Sequence, residues 1–198
     1  MAHLSAVLAT THHPFFLKAT ELTPPEEQIP QAAEWKRKVE AYRETLTAAE
    51  PDLLVMVGSD HFHQFFADNY PTFLIGKQPC YDATFYNEER EFSIPKYVLE
   101  GDEELSGLMF QGLLDRGFDF SISHELKIDH SIICPIITTR PQADLPVVPI
   151  YTNIFAPPLP SPKRFWDLGR AIRSIIDEYP SDKKIAAIGS GHLSLELG

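Results

Sequence analysis

Residues 53–58, Leu-Leu-Val-Met-Val-Gly, are apolar at nearly every position, and the run ends in Ser59-Asp60-His61. A strand apolar on both faces belongs in a sheet that helices cover from two sides. Two further segments repeat the arrangement. Residues 3–10, HLSAVLAT, lead into Thr11-His12-His13-Pro14, and residues 184–188, KIAAI, lead into Gly189-Ser190-Gly191-His192. Between them, residues 31–49 carry Ala32, Trp35, Val39, Tyr42 and Leu46 at helical spacing. Helices are also expected at 103–116, stopped by Gly117, and at about 163–178. Strands are expected at 72–76, 118–123 and 147–151. Residues 18–30, with Pro24, Pro25 and Pro30, read as a loop, and the rest of 62–101 as aromatic-rich and irregular. The order predicts one α/β domain over 1–198, with a mainly parallel central sheet flanked by helices and a cleft at the strand C-terminal ends.

The chain has 198 residues and 17 Lys+Arg against 28 Asp+Glu, a formal net charge of −11. That balance argues against a nucleic-acid backbone and against an anionic membrane surface as partners, because both need a basic face. No apolar run reaches the roughly 20 residues of a membrane span. The N-terminus has no basic region before its apolar stretch, so it does not read as a secretory signal. Two cysteines, Cys80 and Cys134, make no disulfide framework and suit a reducing cytoplasm.

Six of the eight histidines fall in four short segments: His12 and His13, His61 and His63, His130, and His192. Three of those segments follow an apolar strand, so their histidines converge outside the strand ends, where open α/β sheets bind ligands. Imidazole serves equally as a metal ligand and as an acid or base near neutral pH. The sequence lacks HExxH, a zinc-finger cysteine pair and a calcium loop. Imidazole with carboxylate suits non-haem Fe(II), and also Zn, Mn or Ni. The GSG at 189–191 fails the dinucleotide fingerprint, there is no GxSxG serine elbow, and Cys134 in IICPII reads as a buried thiol.

Four segments, Thr11-His12-His13-Pro14, Ser59-Asp60-His61-Phe62-His63-Gln64-Phe65-Phe66, Ile128-Asp129-His130-Ser131 and Gly189-Ser190-Gly191-His192-Leu193-Ser194, resemble the class III extradiol ring-cleavage dioxygenases, in order and along nearly the whole chain. The resemblance implies an Fe(II) enzyme, with Zn or Mn as alternatives, that opens the ring of a catechol-type small molecule with O2 in aromatic catabolism. It implies His12 and His61 as metal ligands, His130 as an acid and His192 as a base. Pro14 then fixes the loop after His12, His13 points elsewhere, and His63 lines the pocket. It also implies a homo-oligomer, with or without a small partner subunit. Two features depart from the family. His192 stands where a second glycine is usual and Leu195 where the final histidine is usual. The family's ligand glutamate comes from a region beyond this sequence, and Glu196 does not match it, so the expectation is a domain lacking its C-terminal part. Lys127 and Arg140 are the basic residues nearest the motifs in sequence for a substrate carboxylate. The alternative reading is a non-catalytic or zinc-dependent relative that uses the cleft for binding.

Overall fold

The computed structural model describes residues 1–191. In chain order the strands are β1 (His3–Thr11), β2 (Leu53–Gly58), β3 (Phe73–Gly76), β4 (Cys80–Ala83), β5 (Tyr97–Glu100), β6 (Ser121–Ser123), β7 (Val147–Thr152) and β8 (Lys184–Gly191). The helices are α1 (Pro14–Leu17), α2 (Ala32–Ala49), α3 (Tyr86–Phe92), α4 (Glu103–Asp115), α5 (His130–Thr139) and α6 (Pro162–Glu178). Six strands form one sheet in the order β1-β8-β2-β7-β3-β6, and β4 and β5 form a separate hairpin. Every pairing in the large sheet is parallel except β3 with β7.

β2 is apolar on both sides because the sheet is covered on both sides. Leu54 and Met56 pack with Leu46 of α2 and with Ile132, Ile133, Ile136 and Ile137 of α5. Leu53 and Val55 face the other way, into Leu105, Met109 and Leu113 of α4 and Leu168, Ile172 and Ile176 of α6. The strand's period of two thus divides one hydrophobic run between two cores.

Four expectations are corrected. Residues 62–101 are not merely irregular: they contain the β4–β5 hairpin and α3, whose short, half-exposed strands carry little periodic signal. The loop 18–30 includes a helical turn at Lys18–Leu22 that continues α1. The strand expected at 118–123 shrinks to Ser121–Ser123, because Phe118 and Phe120 leave the sheet to pack on Phe73, with ring centroids 5.8 and 5.4 Å away. The strand expected at 184–188 runs on through residues 189–191, with Ser190 opposite Thr10 and Gly191 opposite Thr11. The apolar stretch at 131–137 is helical despite Pro135, capped by Asp129, whose side chain accepts from Ser131 N.

The end of β2 lies tight against the start of α5. A Cβ at Gly58 would come within 2.5 Å of Ser131 Oγ and 3.2 Å of Ile132 Cγ1. We expect Gly58→Ala to destabilise the fold by ~1–3 kcal/mol through overpacking at this contact. Urea unfolding should show a lower midpoint with an unchanged slope; an unchanged midpoint would mean that α5 can move away freely.

Candidate metal centre

Parallel strands end on the same side of a sheet, so β1 and β2 deliver His12 and His61 to one edge. The first turn of α5 brings His130 to the same place. The ring centroids of His12 and His61 are 4.9 Å apart, those of His61 and His130 4.0 Å, and those of His12 and His130 5.7 Å. One ring nitrogen from each histidine lies within 4.8 Å of the other two, a spacing that could hold a metal ion. His12 is 1% exposed and His130 7%.

Hydrogen bonding selects the tautomer of each ring. Ser190 Oγ gives its one hydrogen to the backbone oxygen of Ser131 and lies 2.7 Å from His12 Nδ1. With the hydroxyl proton committed, Nδ1 must donate, which puts the lone pair of His12 on Nε2. Pro135 contributes here: it has no N–H for the carbonyl four residues earlier, which is that of Ser131. His61 Nδ1 is 2.9 Å from Asp129 Oδ2, and an ionised carboxylate only accepts, so His61 is also Nδ1–H. His130 Nδ1 is 2.7 Å from Glu88 Oε1, with the same consequence. Imidazoles that bind metals commonly donate their second nitrogen to such acceptors.

Asp129 and Glu88 are both completely buried. Asp129 Oδ1 accepts from Ser131 N (3.1 Å), Ser131 Oγ (2.6 Å) and Tyr151 OH (3.1 Å), and Oδ2 also accepts from His61 N (3.3 Å). Burial pushes its carboxyl upward, but the His61 hydrogen bond and the charges of His130 and His61 outweigh that and hold it well below the usual range. For His130, burial works against the cation; the Glu88 hydrogen bond and the charges of Asp129, Glu88 and Asp60 prevail and raise it above an ordinary imidazole. The buried Asp60 shapes the loop after β2. Its Oδ2 accepts from His63 N and Phe65 N at 3.0 Å each, while burial raises its carboxyl.

Other candidates fall elsewhere. His13 turns away and caps α1, accepting from Phe16 N at 3.2 Å. His63 flanks the centre: its Nε2 is 3.2 Å from Asn87 Nδ2 and its ring is 4.5 Å from Phe85. His63, Glu88, Asp129 and His130 also bring one donor atom each within 4.8 Å of one another. Asp129 caps α5 and bonds His61. Arg140 is held by Asp144 at 2.7 and 3.0 Å and is not poised as a clamp. Lys127 Nζ lies 4.8 Å from the Phe85 ring centroid. Cys134 is buried, and burial pushes its thiol well up. His192 and Glu196 lie outside the described residues. The residues missed by sequence reasoning are Glu88, Ser131, Ser190 and Tyr151. Only Ser131 and Ser190 carried a signal, since each stands inside a histidine motif.

Comparison with known proteins places this geometry. Residues 6–197 match the family described as the catalytic LigB subunit of aromatic ring-opening dioxygenase. The chain belongs to this family. It is 30% identical over 194 residues to a 2,3-dihydroxyphenylpropionate/2,3-dihydroxicinnamic acid 1,2-dioxygenase of Rhodococcus globerulus, covering 96% of this chain and 56% of the relative. It is 32% identical over 157 residues to a Pseudomonas putida protein of the same description, covering 79% of this chain and 47% of the relative. The chain therefore spans about half the length of the curated relatives it matches. An uncharacterized protein from Escherichia coli K12 shares the fold, with a TM-score of 0.57 at 18% identity, covering 96% of this chain and 61% of that one. Among the described residues no helix is long and apolar enough to cross a membrane.

The donor set fits a divalent ion that favours imidazole. Replacing Asp129 by Asn should weaken that ion by ~10–100-fold, because His61 loses its charged partner. Competition with a chromophoric chelator measures this, and equal affinity would detach Asp129 from the centre.

Proposed function

We propose that this chain carries the metal-binding part of a non-haem Fe(II)-dependent extradiol dioxygenase that acts on a catechol-type substrate. The observation that carries the reading is the convergence of His12, His61 and His130, each backed at Nδ1 by a side-chain oxygen. In this reading His12 and His61 are the protein's imidazole ligands, held in the tautomer that offers Nε2. When bound, the ion supplies a Lewis-acidic meeting point for both catechol oxygens and for dioxygen. His130 delivers a proton to the oxygen that leaves as the ring opens, and His192 takes a phenolic proton from the substrate.

The walls suit an aromatic guest. Phe155 lies 5.0 Å from the His61 ring and Phe92 6.3 Å from the His130 ring, centroid to centroid. Such faces stack on a ring and keep water from the reacting atoms. The relatives named above act on catechols that carry an acid side chain, and Lys127, on the Phe85 face, is our candidate to meet that carboxylate.

A second reading rests on the same cluster. Three imidazoles with one ring nitrogen each within 4.8 Å of the others are also a three-histidine set of the kind zinc takes, with His130 as a ligand. Anaerobic loading with Fe(II) or Zn, followed by oxygen uptake with catechols, separates the readings. Equimolar loss of dioxygen and catechol with iron alone supports the dioxygenase; bound metal without uptake points to a binding or zinc-dependent relative.

Two variants sharpen the test. His61→Ala should lose most of the bound metal. His130→Phe should keep its metal yet lower turnover by ~10²–10⁴-fold, as loss of a general acid does. Loss of metal in His130→Phe as well would move His130 from acid to ligand.

A further inference from the structure

We propose that Glu88 is the positioning residue for His130, locking its imidazole in the Nδ1–H tautomer so that Nε2 faces the centre. The proposal rests on the reading of His130 as the proton donor, in which Nε2 takes up a proton before passing it on while Nδ1–H stays on Glu88. Glu88 sits in α3, well away in sequence, and the motif comparison singles out nothing near it. It is nevertheless completely buried, and no Lys or Arg ion pair accompanies it among the described residues. An acid buried without a basic partner is costly unless its oxygens are fully used.

Both oxygens of Glu88 are used, and the pattern is directional. Oε1 accepts from His130 N and from His130 Nδ1, each at 2.7 Å. Oε2 accepts from Phe85 N at 2.7 Å, which fixes the carboxylate to the start of its own helix. His63 Nε2 stands 3.7 Å from Oε1, beyond a hydrogen bond. One oxygen therefore grips both the backbone and the ring of His130, defining where the residue sits and how its ring is turned. Asp129, the other buried acid, is no substitute. Its nearer oxygen is 3.9 Å from His130 Nδ1 and is bonded to His61. The two acids divide the work: Asp129 holds His61, and Glu88 holds His130. A carboxylate behind a histidine that sets its tautomer and orientation is a familiar device of acid–base catalysis.

The test is ¹⁵N–¹H multiple-bond spectroscopy of the metal-free chain, at a pH where the rings are neutral, with His130 assigned by its loss in His130→Phe. We expect a protonated Nδ1 in the wild type, a shift toward Nε2–H in Glu88→Leu, and retention of Nδ1–H in Glu88→Gln, whose amide oxygen still accepts. In iron-loaded protein, Glu88→Leu should lower kcat by at least about tenfold, with KM and metal content within about twofold of the wild type, and Glu88→Gln should recover part of the loss. An unprotonated Nδ1 in the wild type overturns the proposal. So does a Glu88→Leu protein that keeps Nδ1–H and loses only thermal stability. If Glu88→Leu does not fold, the wild-type tautomer and the Glu88→Gln spectrum decide. A wild type with no oxygen uptake defeats the dioxygenase reading, while the tautomer measurement still tests the grip of Glu88 on His130.

Discussion

The carboxylate of Asp129 is the interaction on which the centre depends. It is completely buried and receives five donors: His61 N and Nδ1, Ser131 N and Oγ, and Tyr151 OH. Those donors come from the end of β2, from α5 and from β7, so one charged group ties together three elements that share no local sequence. The same residue starts α5 as its N-cap, where the helix end favours negative charge. Removing a buried charge's partners costs far more than the pair contributes. The donors are thus mutually dependent, and the position of His61 is as firm as the packing of β2 against α5.

A second link runs through a proline. Within α5, Pro135 cannot donate to the carbonyl of Ser131, and that carbonyl takes the hydroxyl of Ser190 at the end of β8. Ser190 then has only an acceptor to offer His12. A residue that weakens the helix locally therefore sets the proton on a histidine of another strand. The parallel register makes this possible, because Ser190 lies opposite Thr10 and two residues before His12 the chain is still paired to β8.

How far the sequence revealed this depended on the range of the interactions. The strands ending in His12 and His61 were legible because apolar runs and terminal histidines are local patterns. The helices at 32–49, 103–115 and 162–178 were legible from spacing for the same reason. Glu88 was not: in Tyr-Asn-Glu-Glu-Arg-Glu nothing distinguishes a buried acid from its solvated neighbours. Its environment is created by His130, 42 positions later. Residues 189–191 misled for a different reason. The apolar run stops at 188, whereas pairing with β1 keeps the strand extended to Gly191.

The three histidines share a tautomer but not a kind of support. His12 is backed by a hydroxyl, His61 and His130 by buried carboxylates. A charged acceptor holds the Nδ1 proton more firmly than a neutral one does. His61 and His130 are therefore fixed more tightly in their tautomer than His12. The gradient comes from elements that meet only in the folded chain: β8 supplies the hydroxyl, the start of α5 one acid, and α3 the other. An unfolded chain has neither the tautomers nor the convergence, so any ion held here must also stabilise the arrangement of these elements against unfolding.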